Sequence, residues 1–96
     1  MTEFTFEWDP RKSQLNRRKH GMDFERAREA FFDPLKRVDM EGIEHGETRW
    51  RTIGQVHGKL FVVSHTSEED GETEIVRIIS ARKATPRERR AYEGKT

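Results

Sequence analysis

The sequence predicts an α+β domain: an antiparallel sheet with two N-terminal helices on one face and a further helix at the C-terminus. Three observations carry this expectation. Glu3-Phe4-Thr5-Phe6-Glu7-Trp8 alternates strictly between polar and apolar side chains, the period of a half-buried strand. Two helix starts come next, at Asp9-Pro10 and at Asp23, before any second strand. Three strand-like runs then succeed one another across short links, which favours antiparallel pairing. Consecutive helices between the first strand and the rest cover one sheet face and leave the other open to a ligand or partner.

Taken in order, Phe4, Phe6 and Trp8 line the inner face of the first strand. Asp9 serves as N-cap and Pro10 as first helical residue of a helix running to about His20, which Gly21 ends in the left-handed conformation. Its one large apolar residue is Leu15, so it is not a deeply buried helix. Phe24, Ala27, Ala30 and Phe31 form an apolar stripe at helical spacing behind Asp23, and Asp33-Pro34 closes that second helix. Residues 35–48 are either a short edge strand near 36–40 plus a loop, or loop throughout. The strand-like runs lie at about 49–56, 60–66 and 74–82, the first two joined at His57-Gly58-Lys59 by a hairpin turn, the last two separated by the acidic stretch 67–73. Ile75-Val76-Arg77-Ile78-Ile79 is apolar on both faces, as a central strand is. Thr85-Pro86-Arg87-Glu88 combines a capping box with Pro at the first position and opens a last helix ending near Gly94.

At 96 residues the chain is one domain, 1–96, and its 31% hydrophobic and 39% charged content gives it a thin core. The absence of cysteine excludes disulfides, thiolate metal sites and a cysteine nucleophile. No apolar run reaches membrane-spanning length and Met1-Thr2-Glu3-Phe4 opens no secretory leader, so a soluble, cytoplasmic protein without membrane contacts is expected. The formal charge is only +1, yet it is segregated: residues 1–20, 21–50, 51–75 and 76–96 carry +2, −3, −3 and +5. Folding that joins the two basic ends builds a basic face on a neutral protein.

Lys12, Asn16 and Lys19 fall at helical i, i+4 and i+7 and share a face able to follow a phosphate backbone, although a solvated helix face has the same spacing. His20 sits at a helix C-terminus, where capping is as natural as catalysis; His65 ends a strand; His45 and His57 belong to a loop and a turn. No histidine pair has metal-ligand spacing, and neither a metal nor another cofactor is expected. Arg77, in the most apolar strand, must meet a carboxylate, a cleft or a partner. Strict alternation sends Arg77 and Arg82 to opposite faces unless a bulge intervenes, so one suits bidentate phosphate binding while the other makes a structural pair. Phosphate-loop, GxSxG and HExxH motifs are absent.

Phe6-Glu7-Trp8-Asp9, Lys12, Asn16, Lys19-His20-Gly21, Phe24 and Ala27 resemble the opening pattern of the BrnT family. Arg49, Gly54, Phe61-Val62-Val63, Arg77-Ile78-Ile79-Ser80-Ala81-Arg82-Lys83-Ala84, Glu88-Arg89 and Tyr92 resemble its second half, so the likeness spans nearly the whole chain. It departs at Ser67-Glu68-Glu69-Asp70, acidic where relatives commonly carry an arginine. The resemblance implies a RelE-like fold and a type II ribonuclease toxin that blocks translation by cleaving RNA. It also implies an antitoxin resembling BrnA, a ribbon-helix-helix protein through which the pair reaches operator DNA. Metal-free RNA cleavage needs a base, an acid and charge stabilisation at phosphorus. On that expectation Lys12, Arg77 and Arg82 stabilise phosphate charge and His20 or His65 exchanges protons. Asn16, Lys19, Arg49 and Tyr92 contact RNA. The competing expectation is a catalytically inactive RNA- or partner-binding module that co-represses with its antitoxin.

Overall fold

In the computed structural model, which describes residues 3–94, the alternating N-terminal segment is strand β1, Glu3–Glu7. The expected domain bounds, 1 and 96, fall in Met1-Thr2 and Lys95-Thr96, which lie outside the described residues. The Asp9 carboxylate accepts from the Arg11 backbone N–H at 2.9 Å and starts helix α1, Pro10–His20, which stops where Gly21 takes φ +72°. Asp23 caps α2, Phe24–Ala27, which passes into a 3-10 helix at Arg28–Phe32. The single second helix expected from the apolar stripe is thus divided. Three-residue winding eclipses positions i and i+3, and Ala27 and Ala30 are both fully buried.

Residues 35–48 do form a strand: β2 runs Arg37–Glu44, followed by β3, Glu47–Val56, β4, Lys59–Asp70, and β5, Thr73–Lys83. Ser67 to Asp70, expected to be connecting chain, belongs to β4 because Thr73 to Val76 pair with it. His45-Gly46 and His57-Gly58 close the first two hairpins with both φ angles positive in each pair, the geometry whose twist matches the flanking strands. Helix α3, Pro86–Tyr92, opens with the Thr85–Glu88 capping box.

The strand order is β1-β5-β4-β3-β2, and β1 pairs parallel to β5, from Glu3 opposite Thr73 to Glu7 opposite Arg77. The wholly antiparallel sheet expected from the sequence is therefore a mixed one. The cause is the route of the chain. The helical segment after β1 crosses to the opposite sheet edge, where β2 starts, and the successive hairpins return β5 to β1 in the same direction.

The main core joins Phe24, Ala27, Ala30 and Phe31 of the helical segment to Val56, Phe61, Val63, Val76 and Ile78 of the sheet, with Phe4, Phe6 and Trp8 packed against it. Gly54 permits this contact: a Cβ there would stand 2.4 Å from the Ala30 carbonyl oxygen. A smaller cluster, Ile53, Leu60 and Val62, receives Ala84 and Tyr92 on the other sheet face.

One side chain ties these parts together. Asn16, 7% exposed, donates from its amide to the carbonyls of Met22 (2.7 Å) and Ala81 (2.8 Å), and its carbonyl accepts from the Ala81 N–H at 3.2 Å. Beside it the Ser13 hydroxyl accepts from the Phe24 N–H at 2.9 Å. The expectation that Asn16 shares an RNA-facing row with Lys12 and Lys19 is corrected here: its amide is consumed inside the protein, while both lysines are exposed. Buried amide groups left without partners cost about 1–3 kcal/mol each. Asn16→Ala is therefore expected to lower the unfolding free energy in urea by about 3 kcal/mol, against under about 0.5 kcal/mol for Lys12→Ala.

Candidate functional site

Arginines are the side chains the sheet gathers. In β5, Arg77 stands opposite Thr66 and Arg82 opposite Val62, while the register skips one residue between them, leaving Ile79 unpaired across from Ser64 and His65. That bulge restores Arg77 and Arg82 to one face, where uninterrupted alternation would separate them. Directly opposed residues in antiparallel strands share a face, so Arg82 lies with Val62 on the face of the smaller cluster. Arg51, opposite Ser64, is on that face too, and Arg49 joins it by the two-residue strand period. Arg37, opposite Ile53, is the fifth strand arginine on the sheet face turned away from the main core, where it pairs with Asp39 and reaches the Ala91 carbonyl. Arg51 escaped the sequence reading, although its signal was present as Arg49-x-Arg51 within a strand.

The centre of this face is a carboxylate held between two arginines. Arg82 donates from both terminal nitrogens to Glu88, at 2.7 and 2.8 Å, and Arg51 approaches the same carboxylate at 4.0 Å. The Arg82 hydrogen bonds hold the Glu88 carboxyl down to about 2, and pairing with Glu88 pushes the Arg82 guanidinium up. Glu88 also accepts from the Thr85 backbone N–H at 2.8 Å, so the same side chain caps α3 and anchors it to β5. A cleft of about 390 Å³ opens here, bounded by Asp39, Arg51, Ile53, Arg87 and Glu88. On the next row, the Ser64 hydroxyl donates to Glu41 at 2.9 Å, and Arg49 pairs with Glu44 at 3.2 Å. The arrangement suits an oxyanion: a planar, bidentate donor with a second cation beside it.

The other candidates make separate contacts. Tyr92 donates to Asp33 at 2.7 Å, and that bond, reinforced by burial, pushes its hydroxyl up to about 12. It fastens α3 to the turn before β2 and packs on the smaller cluster, on the arginine-bearing side of the sheet, with its hydroxyl committed to Asp33. His65 is 2% exposed, on the main-core side against the Phe31 ring. Its Nδ1–H donates to the Thr66 carbonyl (3.1 Å), which leaves Nε2 to accept from the Thr52 hydroxyl (2.8 Å), and burial lowers its pKa. Both nitrogens are occupied. His20 lines a separate cleft of about 450 Å³ at the end of α1, with Arg26, His57, Lys59 and Lys83. Lys12 and Lys19 are exposed on α1, which packs along β5. The structure therefore brings Arg49, Arg77 and Arg82 together and leaves His20 and His65 apart from them and from each other. Among the described residues no group of three His, Asp or Glu side chains is placed to hold a metal ion, and no helix is long and apolar enough to cross a membrane.

A sequence model of the family described as ribonuclease toxin, BrnT, of type II toxin-antitoxin system matches residues 8–88. No curated protein sequence matches the chain closely enough to count as a relative.

The Arg82–Glu88 pair has a pH signature. A carboxyl whose folded pKa is depressed adds stability that is present above its unfolded value, 4.5, and is lost as pH falls toward about 2. Thermal melts across that range are expected to show a steeper acid loss for the wild type than for Glu88→Gln. Equal slopes would show that the pair does not contribute.

Proposed function

The chain belongs to the BrnT family of ribonuclease toxins of type II toxin–antitoxin systems, and from that premise we propose that its arginine-bearing sheet face holds and cleaves RNA. The single observation that carries this is the Glu88 carboxylate seated between Arg82 and Arg51, an internal anion where a substrate phosphate belongs. The full proposal is a RelE-like, metal-independent endoribonuclease of the cytoplasm that inhibits translation. A BrnA-like ribbon-helix-helix antitoxin neutralises it and carries the pair to operator DNA.

In this mechanism a backbone phosphate displaces Glu88 and receives the Arg82 fork, with Arg51 as the second cation. The ribose 2′-oxygen attacks the adjacent phosphorus and the bond to the 5′-oxygen breaks, leaving a 2′,3′-cyclic phosphate and a 5′-hydroxyl. Charge that develops on the non-bridging oxygens in the transition state is met by guanidinium groups fixed before the reaction begins. Glu88, released from the guanidinium that depresses its pKa, becomes a stronger base beside the reacting centre and takes the 2′ proton. The 5′-oxygen takes its proton from water. Arg49 and Arg77 extend the cationic track along the same face, and Lys12 and Lys19 add exposed positive charge on α1. Asn16 and Tyr92 act on RNA only through the positions of α1 and α3. The histidines are assigned no proton transfer, since His65 is sealed and His20 belongs to another cleft.

The test is cleavage of messenger RNA by the purified chain in excess EDTA, with end-group analysis. Cleavage is expected to persist and to leave cyclic phosphate and 5′-hydroxyl ends. Arg51→Ala and Arg82→Ala, checked for folding by circular dichroism, are expected to lower kcat about 100-fold, while His65→Gln and His20→Ala stay within about tenfold. Absolute dependence on a divalent cation, or full activity in both arginine variants, would contradict the proposal. A folded chain that binds its antitoxin yet cleaves nothing would point to the co-repressor module.

A further inference from the structure

Opposite the arginine face, on the side of the main core, the helical segment leaves part of the sheet bare. β2 is an edge strand, paired only with β3. Val38 lies opposite Thr52, Met40 opposite Trp50 and Ile43 opposite Thr48, so the three apolar side chains fall on one face despite the bulge between Met40 and Gly42. They are 49%, 52% and 69% exposed, and Phe32 and Leu35, leading into the strand, are also largely exposed. Soluble proteins blunt such edges with lysine, proline or a covering element. In β2 the charged Asp39, Glu41 and Glu44 are all acidic, and Arg37 alone is basic.

A cavity of about 380 Å³ begins at this strip. Val38 and Trp50 line it together with Ser67, Glu69, Glu74 and the buried His65. Glu69 and Glu74 are directly opposite in the β4–β5 ladder, where like charges repel. Glu74 accepts from the Ser67 hydroxyl at 2.6 Å, but neither carboxylate has an ion-pair partner among the described residues. Lys36 borders the adjoining cavity and lies over the Phe4 ring instead. From Glu68 to Glu74 there are five carboxylates and no base.

We propose that this apolar strip and acidic slot dock an extended segment of the antitoxin, its apolar side chains over Val38, Met40 and Trp50 and an arginine or lysine between Glu69 and Glu74. Charge complementarity selects the occupant: the slot repels RNA and attracts a cationic peptide, and the bare β2 edge offers backbone groups to an added strand. The assignment rests on the toxin–antitoxin reading, and places the antitoxin segment on the sheet face opposite the arginines. It also gives a use to the acidic Ser67–Asp70 stretch that departs from the family pattern.

The test titrates the wild type, the double variant Glu69→Lys/Glu74→Lys, and Met40→Glu with the purified cognate antitoxin. Ribonuclease assays without antitoxin run in parallel. Each variant is expected to weaken binding by about tenfold or more, with wild-type RNA cleavage retained. Raising the salt is expected to weaken wild-type binding more than that of the charge-reversed variant. Met40 is exposed, so Met40→Glu remains informative if the double variant misfolds. Wild-type affinity in the variants overturns the docking site while leaving the toxin–antitoxin reading intact. A wild type that binds no antitoxin overturns both. A Met40→Glu change that dissolves a dimer of this chain and leaves antitoxin affinity untouched assigns the strip to a second copy and overturns the proposal.

Discussion

The hydrogen bonds between Asn16 and Ala81 join residues 65 positions apart and set where helix α1 and the end of β5 stand. β1 ends at Glu7, opposite Arg77, so β5 continues past its edge neighbour with its outer backbone groups open. The Asn16 amide sets one of its two N–H donors and its carbonyl acceptor in the spacing of a peptide unit and presents both to Ala81 as a missing strand would. Its remaining donor holds the Met22 carbonyl and so fixes the turn between α1 and α2. A buried, unpaired N–H and C=O at this point would cost more than most single packing contacts here contribute. Arg82 is the next residue, so a side chain of the arginine face follows directly on a peptide held from α1.

The same local order explains how a chain of nearly zero net charge separates its charges. The bulge at Ile79 turns Arg77 and Arg82 to the same side, and strand alternation adds Arg49 and Arg51. The acidic β4–β5 tip sends Glu69 and Glu74 to the other side, beside the bare strip of β2. One sheet face therefore gathers the arginines and the opposite face carries the opposed carboxylates of Glu69 and Glu74. Helix α3 is coupled to the first through Glu88, which serves at once as N-terminal cap and as arginine partner. That helix buries no residue fully, so its position depends on polar ties from Glu88, from Tyr92 to Asp33 and from Arg37 to the Ala91 carbonyl. An anion that competes for Arg82 acts on the anchorage of α3 directly.

What the sequence made legible was local. Asp9-Pro10, Gly21 and the Thr85–Glu88 box mark α1 and α3 because capping depends on residues within a few positions. The alternation of Phe4, Phe6 and Trp8 marks β1 for the same reason. Its parallel pairing with β5 was not legible, since the order of the intervening elements decides it. Asn16 pointed outward on a helical wheel that placed it beside Lys12, and only the packing of α1 on β5 shows which side of that row is buried. The bulge that unites Arg77 and Arg82 leaves no mark in the composition of Ile78-Ile79-Ser80. Arg51 was legible in principle, as the strand partner of Arg49. The two histidines drew attention through residue type, and the structure gives one a buried structural role and the other a different cleft.

Whether RNA lies on the arginine face can be read by nuclear magnetic resonance, with a short RNA carrying 2′-O-methyl groups that binds without being cleaved. Signals from the side chains of Arg51, Arg82 and Glu88 are expected to shift on titration, with those of the Asn16 amide and of Glu69 unchanged. Shifts confined to His20, Lys59 and Lys83 would place the nucleic acid in the cleft at the end of α1 and contradict the assignment of the arginine face.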